Sequence, residues 1–254
     1  MRRNYKQIGL LVMGMLLATM AWAKTPKHHY VAIQTNKGEC LLMLYNETPK
    51  HRDNFVKLVK EGYYDELLFH RVIENFMVQG GDPDSRYAAQ KQALGTGGPD
   101  YKIPAEIQDS LIHKKGTIGA ARDNNPAKQS SASQFYLVQG RVFSPAALDS
   151  LETFRLNGKK LTAQQREAYT TVGGVPHLDG NYTVFGELLS GVATIDQIAV
   201  VETDERDRPL EDVRMSMQLL TRREALNLER EQAGLQPKTG FFTKILDIFY
   251  SRYY

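Results

Sequence analysis

From Tyr30 onward the chain is dominated by short apolar runs of strand length, several of them alternating with polar residues. YVAIQTNKGECLLMLY, residues 30–45, predicts two strands around the turn Asn36-Lys37-Gly38, with β-branched and apolar residues on either side. FHRVI and FMVQGG, residues 69–73 and 76–81, predict two more, and GTIGAAR, SQFYLVQG, YTVFGELL and VRMSMQLL supply another four. In the last of these, Val213, Met215, Met217 and Leu219 share one face with polar residues opposite, the period of a half-buried strand. Eight short strands with few and short helices point to a mainly β fold, a closed eight-stranded antiparallel barrel, because closure removes exposed edges.

Helical spacing interrupts this pattern in a few places. Thr48 is placed to cap a helix, Pro49 suits its first turn, Phe55, Val56 and Val59 form its buried stripe, and Gly62 ends it. A second helix runs from Val192 to Ala199, with Ser190 as its expected N-cap. Two such helices would cap the ends of the barrel. Residues 140–176 carry helix signals of their own: Ser144-Pro145 starts a helix, Asn157-Gly158 stops it, and Thr162 with Gln165 forms a capping box for the next. That segment predicts an inserted helical hairpin. Residues 221–254 read as a C-terminal helical extension, with a charged segment, a break from Gly234 to Gly240, and the end FFTKILDIFYSRYY.

Composition narrows the class. With 42% hydrophobic and 24% charged residues the chain is an ordinary ordered protein, and a net charge of +3 without basic runs interleaved with aromatics argues against nucleic acid as a partner. Arg2, Arg3 and Lys6 precede an apolar run from Ile8 to Met20 that ends in Ala21-Trp22-Ala23, the pattern of a signal peptide over residues 1–23 cleaved near Ala23. The run is shorter than the roughly 20 residues that span a bilayer. The mature protein, residues 24–220 plus the extension, is therefore expected to be exported, periplasmic or extracellular. The one cysteine, Cys40, lies in CLLMLY and reads as a buried free thiol. No Cys/His/Asp/Glu group has metal-ligand spacing, so no metal is expected.

The hairpin FHRVIENFMVQGGD sets Arg71 and Gln79 among apolar neighbours. An unpaired buried charge is expensive, so both side chains are expected to face an open groove. GTGG, residues 95–98, lacks the following Lys-Ser/Thr of a phosphate-binding loop and reads as a turn at the groove's edge. His70 reads as a packed, hydrogen-bonded histidine.

FHRVIENFMVQGGD, GTGG, IPAEI, SQFY and LDGNYTVFGEL follow one another in an order and spacing that resemble the cyclophilin family of peptidyl-prolyl cis-trans isomerases, over roughly Val31 to Leu220. The resemblance implies a closed cyclophilin-like barrel with a proline-binding groove on its outer surface, no cofactor, and proline-containing polypeptides as partners. Carried over by position, it makes Arg71 the catalytic arginine, lines the proline pocket with Phe76, Met77, Tyr136 and Leu178, and sets Gln79 and Gln134 as polar groups of the groove. Ala121 and Arg122 fall where the family offers a strand edge to the substrate backbone, and Gln79 is expected to brace the Arg71 guanidinium. Tyr136, His177 and Tyr182 stand where phenylalanine, tryptophan and histidine are usual: the phenol of Tyr136 still offers an apolar face, His177 lacks the indole N–H that in many members helps hold the inhibitor cyclosporin, and Tyr182 is another flat ring able to donate a hydrogen bond.

The resemblance implies an isomerase acting on X-Pro bonds in exported proteins. A proline-binding chaperone or envelope scaffold without essential turnover is the alternative, and it differs in surviving loss of Arg71. The hairpin at 140–176 ends beside the groove wall at His177-Leu178, which suits substrate selection as well as surface elaboration. For the tail, Phe241, Ile245, Ile248 and Phe249 recur at helical spacing, which fits packing on the barrel and leaves membrane-surface contact open. The sequence does not give an oligomeric state.

Overall fold

The computed structural model describes residues 25–238. The expected signal peptide and the tail segment from Phe241 to Tyr254 lie outside the described residues. The described residues divide into two units, a larger one of residues 28–219 and a smaller one that includes residues 220–238.

The larger unit contains the strands β1 (Tyr30–Thr35), β2 (Gly38–Leu44), β3 (Leu67–Ile73), β4 (Met77–Gly80), β5 (Lys102–Ile103), β6 (Thr117–Ala120), β7 (Ser130–Ser131), β8 (Phe135–Val138), β9 (Val184–Ser190) and β10 (Arg214–Leu219). Eight of them close into a barrel in the order β1-β10-β3-β4-β8-β6-β9-β2 with every pair antiparallel, and these are the eight runs expected from the pattern. The short β5 and β7 pair separately.

Because side chains alternate across a strand, each strand serves two surfaces. On β8, Phe135 and Leu137 belong to the interior cluster, while Tyr136 and Val138 belong to a second cluster on the outside. β4 divides likewise, Val78 inward and Met77 outward. The lumen is filled by rings: Phe135 meets Phe55, Tyr64 and Phe69 edge-on at 5.8, 5.7 and 6.1 Å between centroids. Such edge-to-face contacts add to the hydrophobic gain of burying large side chains.

Helix α1 (Pro49–Lys60) sends Phe55, Val56, Leu58 and Val59 into the interior cluster. Thr48 stands at its N-cap position, but its buried hydroxyl makes no cap bond. The carboxylate of Glu106 takes over that task, accepting from the Lys50 and His51 main-chain N–H groups at 3.0 Å each. An anion there meets both the unpaired amides and the positive end of the helix.

Helices α2 (Pro145–Phe154) and α3 (Ala163–Thr171) form where the sequence signals put them. Ser144 caps the first, and Thr162 and Gln165 form a reciprocal capping box on the second. The pair has a small core of its own in Phe143, Leu148, Leu161 and Tyr169. Glu152, hidden between the helices, accepts from Lys160, Arg166 and the Leu161 N–H, and these donors, Lys160 foremost, hold its carboxyl down to about 2.

Helix α4 (Val192–Ala199) also enters the barrel core, through Ile195, Ile198 and Ala199. Its N-cap is Gly191 rather than Ser190, which is the last residue of β9. Gly191 has φ 82°, and a Cβ there would fall 2.2 Å from the carbonyl oxygen of Glu39. Close approach to β2 therefore demands glycine at this junction. Cys40 is buried and unpaired, as expected. In the smaller unit, helix α5 (Arg222–Gln232) begins with a capping box between Thr221 and Glu224.

Candidate active site

β3 does not alternate evenly. Phe69 and Val72 both reach the interior cluster although they are three residues apart, an odd separation that a regular strand would split between two faces. The ladder resolves this with a bulge: Phe69 pairs with Gly80 and Arg71 pairs with Gln79, leaving His70 as an extra residue. The inserted residue returns Val72 to the core while turning Arg71 outward, a use of bulges that re-aims side chains. His70 itself is 4% exposed, whereas the Arg71 side chain is 42% exposed. Neither ring nitrogen of His70 makes a well-formed hydrogen bond, so it is packed but not hydrogen-bonded as expected. Burial pushes its pKa down to about 4 and keeps the imidazole neutral.

Arg71 stands at the edge of a pocket of about 120 Å³ formed with Phe76, Met77, Gln79, Ala121, Arg122, Tyr136, Leu178 and Tyr182. Its floor is the outer apolar cluster, to which Met77, Tyr136 and Leu178 belong and against which Phe76 and Tyr182 pack. Only Nε of Arg71 is engaged, donating to Asp207 Oδ2 at 3.3 Å. Both terminal amino groups are left without a protein acceptor among the described residues. Asp207 is delivered by a tight turn in which the Asp204 carboxylate accepts from the Arg206 and Arg208 N–H groups, and the Val72 N–H donates to the Asp207 carbonyl at 2.8 Å.

Tyr136 shapes the floor. Its ring lies over Gly119, where any Cβ would fall 2.4 Å from the phenol. The hydroxyl is tied down beneath the pocket by His113 Nε2 at 2.9 Å. His113 Nδ1 meets Asp179 Oδ1 at 2.8 Å, and the Tyr169 hydroxyl of α3 donates to Asp179 Oδ2 at 2.6 Å. With its hydroxyl occupied, Tyr136 offers the pocket its ring. Burial raises its pKa well above the ordinary tyrosine value, so the phenol stays neutral.

This geometry coincides with a sequence match. Residues 30–218 fit the family model described as cyclophilin type peptidyl-prolyl cis-trans isomerase/CLD. The chain belongs to that family. A Staphylococcus haemolyticus protein described as a peptidyl-prolyl cis-trans isomerase is 35% identical over 184 residues, covering 72% of this chain and 86% of its own. A Streptococcus pyogenes protein described as a bifunctional phosphatase/peptidyl-prolyl cis-trans isomerase is 39% identical over 186 residues, but the match takes in 37% of that longer protein. In fold, the chain is similar to a crystal structure of a Cryptosporidium parvum cyclophilin type isomerase, with TM-score 0.57 at 23% identity over 76% of this chain and 98% of the other. A second structure of that protein, in the presence of the dipeptide Ala-Pro, gives TM-score 0.56.

Most of the residues expected at the cyclophilin groove gather in one pocket, and four details differ. Gln79 does not brace Arg71: its Nε2 donates to Gln134 Oε1 at 3.1 Å, and Gln134 Nε2 donates to the Gly97 carbonyl at 2.8 Å. The brace is Asp207, 136 residues further along and without any local signal. Gln134 lines an adjoining pocket with the GTGG loop rather than the arginine pocket, and Asp82 holds that loop by accepting from the Gly95 and Gly97 N–H groups. His177 stacks on the far face of Phe76, 5.7 Å between centroids and 18° between planes, and lines a different cleft.

The fourth difference concerns the strand edge. Ala121 uses its own main chain, its N–H donating to Gln134 and its carbonyl accepting from Ser131. The open edge is thus Arg122, whose guanidinium is held by the Asn181 and Asp123 carbonyls and lies 4.6 Å over the Tyr182 ring. Sequence reasoning missed Asp207, His113, Asp179 and Tyr169. Only Asp179 carried any hint, through its place in the LDG string.

Proposed function

We propose that this cyclophilin accelerates rotation of X-Pro bonds in exported polypeptides, with Arg71 as its catalytic residue and the outer apolar pocket as the seat of the proline ring. Amide resonance sets a barrier of roughly 20 kcal/mol, and uncatalysed exchange takes tens to hundreds of seconds. No covalent bond has to break. In the twisted amide the prolyl nitrogen regains a lone pair that accepts a hydrogen bond, which the planar nitrogen does not. A guanidinium aimed at it binds the transition state in preference to either isomer, the condition for catalysis.

One observation carries this reading: the bulge at His70 delivers Arg71 to the rim of a small apolar pocket with its terminal amino groups uncommitted. Arginine suits the role because it stays charged and its planar fork reaches two acceptors. Phe76, Met77, Tyr136 and Leu178 would hold the ring while the N-terminal side turns, with Tyr182 as groove wall and Arg122 offering main-chain groups. Neither metal nor cofactor enters this chemistry. The Ala-Pro dipeptide present with the Cryptosporidium relative supports proline-containing partners.

Export is supported by the basic, apolar and Ala-Trp-Ala segments of residues 1–23. In this reading the hairpin at 140–176 is an insert beside the groove, suited to substrate selection as well as surface elaboration, and 221–254 is an extension that follows the isomerase domain 24–220. The experiment pairs two readouts. The chain from Lys24 should abolish a proline-limited slow phase in the refolding of a polypeptide, and the full chain expressed in a bacterium should be recovered shortened outside the cytoplasm. An unaltered slow phase with peptide still bound favours the chaperone alternative, and retention of residues 1–23 in the cytoplasm removes export.

A further inference from the structure

On the far side of Phe76 from the proline pocket lies a second cleft, of about 310 Å³. Phe76 is a wall common to both, and His177, stacked on it, faces the second alone. Phe143 and Leu151 from the helical hairpin give this cleft an apolar lining, and Arg141 and Arg155 add two cations to it. Both arginines are exposed, and among the described residues no carboxylate stands within ion-pair distance of either.

Glu74, exposed between the cleft residues Ile73 and Asn75, forms no ion pair with either arginine, and three other nearby acids are committed elsewhere. Asp149 pairs with Arg166, Glu152 with Arg166 and Lys160, and Asp179 with His113 and Tyr169. Arg141 is anchored rather than loose: its main chain exchanges hydrogen bonds with Gly174, and its guanidinium lies 4.9 Å over the Phe143 ring. Arg155 sits at the C-cap of α2, where the helix dipole favours a cation, but the dipole does not explain why a second cation shares the cleft. The local field is positive enough to act on His177, whose pKa falls to about 4 through burial first and Arg155 second. Two uncompensated guanidinium groups over apolar walls suit a carboxylate, since charge-assisted bonds strengthen where water is partly excluded.

We infer that this cleft is a subsite for an acidic side chain of the bound polypeptide, Asp or Glu within a few residues of the proline held beyond Phe76. The inference rests on the proline-binding reading of the adjoining pocket, and it makes the helical hairpin a selector of clients. The test compares capped Ala-Pro peptides carrying Glu, Gln or Lys at each of the four positions on either side, measured by NMR exchange and by titration calorimetry at low salt.

At one or two positions on one side, Glu should improve both kcat/KM and Kd by about three- to tenfold over Gln. The preference should vanish in the double variant Arg141→Gln/Arg155→Gln, and turn towards Lys in Arg141→Glu/Arg155→Glu, while the all-neutral peptide is turned over unchanged in both. Equal treatment of Glu and Gln at every position overturns the inference. So does competition by capped glutamate alone as strong as that of the peptide, which would mark a small-anion site. If no peptide is turned over, the parent reading has failed, and the Kd comparison still decides the subsite.

Discussion

The barrel has two apolar clusters built on the same strands, and they behave oppositely. Inside, Phe55, Tyr64, Phe69 and Phe135 close on one another and leave nothing for a ligand to do. Outside, Met77, Tyr136, Leu178 and Phe76 meet only on one side and keep a pocket open between polar neighbours. The contrast lies in how polar groups are disposed around the apolar ones. Four polar side chains of the outer site are tied sideways or downward: Tyr136 to His113, Gln79 to Gln134, Arg122 to main-chain carbonyls, Arg71 by one edge to Asp207. Both terminal amino groups of Arg71 are left without an acceptor among the described residues. A fold thus makes a site from strands whose other face is ordinary core, and the bulge at His70 is the device that separates the two roles on β3.

Deleting His70 should collapse the distinction and have the largest effect. Without the extra residue, β3 must turn either Phe69 outward or Arg71 into the core, and burying the arginine unpaired costs about 3–5 kcal/mol. Urea unfolding of the deletion variant should show that loss, and the folded remainder should not speed X-Pro exchange. Retention of full stability and activity would mean that the bulge does not set the direction of Arg71.

Acid should strike the same spot somewhat less hard. His70 has a folded pKa of about 4 against an ordinary value of 6.5. Above pH 6.5 the ring is neutral folded or unfolded, and its contribution is whole. As the pH falls from about 6.5 to about 4 the unfolded chain takes up the proton first, so stability drops by on the order of 3 kcal/mol and levels off below. Denaturant midpoints across that range should fall in the wild type and fall less steeply in His70→Phe.

A smaller effect separates the two candidates for bracing Arg71. Asp207→Asn should reduce kcat/KM by about tenfold, because the guanidinium loses its charged partner while remaining in place. Gln79→Met should change it by less than about threefold, since Gln79 ties the groove to the GTGG loop through Gln134. The reverse order would restore the pairing expected from sequence.

These cases show where legibility ends. The eight strands, α1, the hairpin caps and the membership of the pocket were readable because period, turn residues and the quoted strings are local signals. Asp207 beside Arg71 and Asp179 beside His113 were not, since they meet across 136 and 66 residues and depend on how loops close over the barrel. The caps of α1 and α4 failed for a related reason. Tertiary partners, Glu106 at one end and the Glu39 carbonyl crowding Gly191 at the other, displaced the local choice. The bulge lay between these extremes: two core residues spaced three apart in FHRV already contradict an even strand.

The most direct measurement follows binding and exchange of an Ala-Pro peptide by NMR in one sample, for the chain from Lys24 and for Arg71→Ala. The outer pocket should still bind the peptide within a fewfold, while catalysed exchange falls by about 100- to 1,000-fold, the usual loss when a group that meets only the transition state is removed. Exchange that continues at the wild-type rate in Arg71→Ala would contradict the assignment of catalysis to the arginine that the bulge turns outward.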